Sequence, residues 1–131
     1  VSIVYQLGPV DPNGSAILLA RLYKLDSSQN LVPAVAADFQ SITWSATSLH
    51  DGTPIGSYTN VNLTPLSVYV LAALSTGSVW ALDQTGFNFL LVLPPGTFPG
   101  EPGTRITVTF VMADGVTTFF LRANAPVETV E

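Results

Sequence analysis

Acid–base or nucleophilic chemistry needs a titratable group held against a partner, and this chain offers few candidates. His50 is the single histidine among 131 residues. It stands beside Asp51 and Gly52, a turn sequence, and adjacent side chains on an extended chain splay apart, so Asp51 is badly placed to orient the ring. The Gly-x-Ser-x-Gly elbow that presents a serine nucleophile does not occur. Two carboxylates can serve as the acid and base of a glycosidase. The acidic residues are Asp11, Asp26, Asp38, Asp51, Asp83, Glu101, Asp114, Glu128 and Glu131. Almost all fall in turn-like or terminal stretches, where an Asp has a local reason to be, because its carboxylate bonds the backbone two residues on. Asp11-Pro12-Asn13-Gly14 begins like a calcium loop, but Ser15, Ala16 and Ile17 follow where further acidic ligands belong. Without cysteine and with one histidine, a transition-metal centre lacks ligands. No glycine-rich phosphate loop is present. The expectation is no catalytic residue, no cofactor and no metal.

Aromatic side chains are the other candidates. Tyr58, Tyr69, Trp80 and Phe98 are the rings from which a carbohydrate platform would be drawn, with Tyr58 and Trp80 as its ligand aromatics. Trp44 is better explained as core. A secreted binding module for carbohydrate or protein is therefore the alternative function. Asn13-Gly-Ser15 and Asn62-Leu-Thr64 match the glycosylation acceptor pattern, which arises often by chance.

Charge is the unusual feature. Apolar residues make up 47% of the chain and charged residues 10%, against about 25% charged in an ordinary soluble domain. Between Phe39 and Gly100 the formal charges are Asp51 and Asp83. Surfaces this poor in charge are weakly protected against association, so protein partners or self-association within a larger assembly are expected. The basic residues are Arg21, Lys24, Arg105 and Arg122, in a chain of net charge −5. No basic stripe exists to neutralise phosphates, which argues against nucleic acid and anionic membrane surfaces. The uncharged stretch Gly52–Leu82 is broken by Pro54, Gly56, Pro65 and Gly77, so no membrane insertion is expected. The chain starts at Val1, and no basic segment leads into an apolar run, so no signal peptide remains. Removal of a leader and removal of an initiator Met both fit.

The elements that must position these residues are short strands punctuated by ten Gly and ten Pro. Strands are expected at Ser2–Leu7 and Ala16–Lys24, with a Pro33-containing edge or loop over Leu31–Phe39. Ser41–Leu49 alternates, with Ile42, Trp44 and Ala46 on one face. Ser57–Leu63 suits a sheet edge, and Phe87–Leu93, apolar on both faces, suits a central strand. Two readings compete after Thr64-Pro65. One is a helical turn near 65–74 that carries Leu66, Val70, Ala73 and Leu74 on one face. The other is a strand favoured by Val68, Tyr69 and Val70; we favour the helical turn. Asp114-Gly115 calls for a type I′ turn joining Arg105–Met112 to Val116–Asn124. That hairpin pairs Phe110 with Phe119, Val108 with Leu121 and Ile106 with Ala123 on an inner face. Val111 and Phe120 fall on the outer face, where they are expected to touch the crossing segment or a partner. Residues 1–124 form the expected domain and 125–131 an extension.

Two stretches resemble immunoglobulin-like sandwiches. Trp44, within Ile42-Thr-Trp-Ser-Ala46, looks like the buried Trp of a central strand. Asp83-Gln-Thr-Gly86-Phe87-Asn88-Phe89 is similar to the Asp-x-Gly-x-Tyr corner before a core strand, with one extra residue and Phe in place of Tyr. The Asp-Pro-Asn-Gly turn, the Ser/Thr-rich middle and the final Ala-Asp-Gly hairpin also resemble the Ig-like modules of tailed-phage virions, found as baseplate and capsid decoration domains. These resemblances imply an all-β, antiparallel Ig-like sandwich of seven to nine strands. They also imply a non-enzymatic structural subunit, virion or extracellular; in such an assembly the uncharged surface around Phe98, Val111 and Phe120 is where partner contacts are expected.

Overall fold

The computed structural model describes residues 4–8, 16–76, 80, 84–94 and 103–126. The fold is all-β and antiparallel. Its strands are β1 (Val4–Gly8), β2 (Ala16–Arg21), β3 (Tyr23–Leu25), β4 (Leu31–Pro33), β5 (Phe39–Ser48), β6 (Val61–Asn62), β7 (Val70–Ser75), β8 (Phe87–Leu93), β9 (Gly103–Met112) and β10 (Thr118–Pro126). One sheet has the order β1-β2-β8-β7 and the other β10-β9-β5-β6; β3 and β4 form a separate ribbon. The described strands number ten, against the seven to nine expected. The excess arises because Ala16–Lys24 breaks at Leu22 into β2 and β3, and β3 takes β4 as its partner.

Period-two alternation builds the core. Ile42, Trp44 and Ala46 of β5, Ile106, Val108 and Phe110 of β9, and Leu121 and Ala123 of β10 all point inward. Leu18 and Ala20 of β2 and Phe89, Leu91 and Leu93 of β8 meet them from the facing sheet. Phe110 is the pivot. Its ring meets Phe89 of the opposite sheet edge-on, with centroids 5.3 Å apart. It also stacks on Phe119 at 4.8 Å and tilts against Phe39 at 5.8 Å. Trp44 is buried and stacks on Tyr58 at 5.2 Å. A second cluster gathers Leu19, Trp80 and Phe87, flanked by Ile17, Leu71 and Leu90.

The final hairpin has the expected register: Phe110 opposite Phe119, Val108 opposite Leu121, Ile106 opposite Ala123. Its turn is not type I′. Met112 N–H donates to Thr117, leaving a four-residue loop, 113–116, in which Gly115 alone has positive φ. Asp114 explains the difference. Its carboxylate accepts from the N–H groups of Val116 and Thr117 at 2.8 Å each and from the Thr117 hydroxyl at 2.6 Å. These bonds hold Asp114 outside the left-handed region that a type I′ turn demands. β10 also runs to Pro126, two residues past the expected boundary at 124.

Two other expectations need correction. The helix near 65–74 shrinks to one turn, α1 (Leu66–Tyr69), and residues 70–75 become β7. Val70 is buried against the core opposite Phe89, where extended backbone favours a β-branched side chain. The edge segment 57–63 keeps only Val61–Asn62 as strand. Phe87–Leu93 is the expected central strand, β8, between β2 and β7; Asp83 of the corner-like stretch before it lies outside the described residues. Phe87 packs on Trp80, with centroids 5.6 Å apart, in place of a corner bond. Gly86 is required where it stands: its φ is +99°, and a Cβ there would lie 2.4 Å from the carbonyl oxygen of Ser75.

The β2–β8 ladder is finished by side chains. Backbone pairing ends at Ala20–Phe89. Beyond it, the fully buried Asn88 amide accepts from Leu22 N–H at 2.6 Å and donates to the carbonyls of Leu22 at 2.9 Å and Ala34 at 3.0 Å. Arg21 Nε donates to Gly86 O at 2.9 Å. Replacing Asn88 by the near-isosteric Leu keeps volume but strands Leu22 N–H and Ala34 C=O, at about 1–3 kcal/mol each. Asn88→Leu is therefore expected to lower the urea-unfolding free energy by roughly 2–5 kcal/mol. A loss below about 1 kcal/mol would show that the amide does not hold the break in place.

Candidate protein-contact surface

The candidate carboxylates among the described residues serve loops and turns. Asp26 accepts from the N–H groups of Ser28 and Asn30, both at 2.9 Å. Asp51 accepts from Thr53 N–H at 3.1 Å and Thr53 Oγ1 at 2.8 Å, which holds its carboxyl below the usual range. Asp114 is held low in the same way, first by the Thr117 hydroxyl. His50 is exposed in the turn after β5. Among the described residues no group of three or more His, Cys, Asp or Glu is placed to hold a metal ion. No helix among them is long and apolar enough to cross a membrane. Asp11, Asp83, Glu101, Glu128 and Glu131 lie outside the described residues.

Asp38 ties two elements together. It closes the 3-10 turn Ala36–Asp38 by accepting from Val35 N–H at 2.8 Å, and it pairs with Lys24 Nζ at 2.6 Å. Burial, the largest single influence, raises its pKa; the Lys24 bond, the Val35 N–H and the Lys24 charge together outweigh it and leave the carboxyl below its ordinary 3.8.

The expected ligand aromatics are already engaged. Trp80 is 6% exposed, packed against Phe87, with the Arg21 guanidinium 5.8 Å from its ring. Tyr58 is half-buried under Trp44, and Tyr69 packs against the core. Trp80 therefore cannot offer the solvent-facing ring that a sugar platform needs. Of the expected partner contacts, Phe98 lies outside the described residues. Val111 is half-buried on the outer face of β9, between Ser41 and Thr118. Phe120 is 49% exposed, with the Arg122 guanidinium 5.1 Å from its ring. The crossing turn α1 packs on β5, β7, β8 and the 3-10 turn.

A groove of about 750 Å³ runs along the side of the molecule where β10 and the β1–β2 edge adjoin. Tyr5, Leu22 and Leu25 form one wall and the consecutive residues Phe119–Arg122 the other. Arg21, Lys24 and Arg122, three of the four basic residues, line it, and among the described residues no carboxylate does. Of the expected partner contacts, Phe120 lines this groove; that Lys24 and Arg122 meet there depends on sheet order, on which sequence patterning is silent.

The four sheet edges are not equally open. β6 is two residues long, and β7 carries a register shift between Val70 and Ser75. β1 has five residues. β10 pairs without irregularity over nine residues, Thr118 to Pro126, the longest regular edge among those described. Short strands and bulges discourage strand addition; a long regular edge invites it.

No family model, curated protein or solved structure matches this chain.

The Lys24–Asp38 pair makes a pH prediction. A carboxylate whose pKa is lowered by folding contributes stability above its unfolded value, and that contribution is lost as pH falls through the folded value. The pair is partly solvated and screened, so Asp38→Asn should cost about 0.5–1 kcal/mol at pH 7. Its stability should fall less than that of the unaltered chain between pH 5 and pH 3, as read by denaturant unfolding at each pH. Parallel acid limbs would remove Asp38 as a contributor.

Proposed function

We propose that the chain is a non-enzymatic, immunoglobulin-like structural subunit that works by protein contact within a larger assembly, such as a phage virion or a similar surface array. Strand order supports the Ig-like part. Assigning immunoglobulin letters to β1, β2, β5, β6, β7, β8, β9 and β10 in chain order puts A-B-E-D in one sheet and G-F-C in the other, with a C′ edge. Trp44 then stands on strand C, facing the core.

The observation that carries the contact reading is where apolar surface remains. Leu25 and Leu31, paired on the β3–β4 ribbon, are each 54% exposed, and Phe120 on β10 is 49% exposed. In a chain that is only 10% charged, apolar surface of this kind is weakly protected against association. The turn roles of Asp26, Asp38, Asp51 and Asp114 support a protein without an acid–base pair.

The reading predicts a native particle heavier than one 13.8 kDa chain. Sedimentation equilibrium over a hundredfold concentration range should show association, and Leu25→Ser/Leu31→Ser or Phe120→Ser should weaken it. A chain that stays monomeric throughout and has no neighbour in its native particle would overturn the proposal.

A further inference from the structure

We infer that the groove beside β10 is a docking site for an extended segment of a protein partner, one that alternates apolar and acidic side chains and adds to the sheet as a strand. This rests on the contact-subunit reading and gives that contact a place and a partner chemistry.

The backbone argument comes first. Successive side chains on a strand point to opposite faces, so a groove touched by Phe119, Phe120, Leu121 and Arg122 in a row runs past the strand's own edge. Met112 N–H donates to Thr117 O at 2.9 Å. By the alternation of an antiparallel ladder, Phe119 and Leu121 turn their backbone groups toward β9, while Thr118, Phe120 and Arg122 turn theirs outward. Among the described residues no strand pairs with that side of β10. A small amphipathic anion would fill the apolar wall and leave this row of donors and acceptors unmet; an added strand satisfies both.

Side chains and charge then select the sequence. Every second residue of the added strand would face the apolar lining that Tyr5 and Leu25 give on one side and Phe119 on the other, so these should be apolar. The residues between would lie beside Phe120 and Arg122. Arg21 is held by Gly86 O and Lys24 by Asp38, whereas Arg122 is exposed and lies against the Phe120 ring. A groove lined by three basic residues and, among the described residues, no carboxylate, on a chain of net charge −5, complements acidic residues at these positions.

The test is fluorescence anisotropy of the full chain with a labelled ten-residue peptide alternating Val and Glu, beside its Val/Lys counterpart. The Val/Glu peptide should bind saturably, at least about tenfold tighter than Val/Lys, and more weakly as salt rises. Arg122→Glu should weaken binding by about tenfold or more. Thr118→Pro removes one outward N–H from an edge where proline is tolerated, and should abolish binding while thermal unfolding is retained. Equal affinity for both peptides, or binding untouched by Arg122→Glu and Thr118→Pro, would overturn the proposal. Self-association abolished by Arg122→Glu without peptide binding would overturn it in favour of a second copy as occupant. Failure here with a multimeric native particle leaves the assembly reading standing; peptide binding by a strict monomer does the reverse.

Discussion

The structure turns on one buried amide. β2 must leave its sheet at Leu22 so that β3 can pair with β4, and leaving a sheet in a buried place strands backbone groups that cost about 1–3 kcal/mol each. Asn88 resolves this by standing in for the missing backbone, meeting both the N–H and the C=O of Leu22 and the C=O of Ala34. Arg21 does the same for Gly86. The ladder therefore ends without an orphaned group at Leu22, and the chain is free to turn outward.

Everything that distinguishes the β10 side follows from that turn. Once β3 leaves the sheet, Lys24 reaches Asp38 and the 3-10 turn is pinned by Val35 N–H. Leu22 and Leu25 then form the wall that faces β10. The opposite wall is fixed by a different interaction. Phe110 is clamped between Phe89 of the facing sheet and Phe119 of its neighbour strand, which sets the distance between the sheets and the register of β10 at once. A polar knot on one side and an aromatic clamp on the other thus define the groove.

Much of this was legible in the sequence where one local rule sufficed. Alternation located Ile42, Trp44 and Ala46, and an apolar run with the right bounds gave Phe87–Leu93 as a central strand. The inner pairs of the last hairpin followed from the position of Asp114-Gly115, although the turn itself is closed by Asp114's carboxylate. The break at Leu22 was not legible, because neither Gly nor Pro marks it; the cause lies 66 residues away in Asn88. A faint signal existed, a lone amide inside Phe-Asn-Phe-Leu-Leu-Val-Leu, where burial demands partners. The groove was hidden for the same reason: which edges adjoin is a property of sheet order, and local patterning is silent on it.

The distribution of charge connects fold to contact. Asp26, Asp38, Asp51 and Asp114 are spent on backbone N–H groups in loops and turns. That leaves the outer face of β5, β9 and β10 without a carboxylate among the described residues, its neutral Ser41, Thr43, Ser45, Thr47, Thr107, Thr109 and Thr118 standing beside Arg105 and Arg122. The cations are drawn the other way, with Arg21 and Lys24 pulled by Gly86 and Asp38 to the β2–β3 break. Arg122 faces that break across the groove because the Phe110–Phe119 stack sets the register that brings it there. The same bonds that complete the fold thus gather Arg21, Lys24 and Arg122 along one apolar edge. An edge of that character discriminates among partners by charge while leaving its backbone to supply affinity.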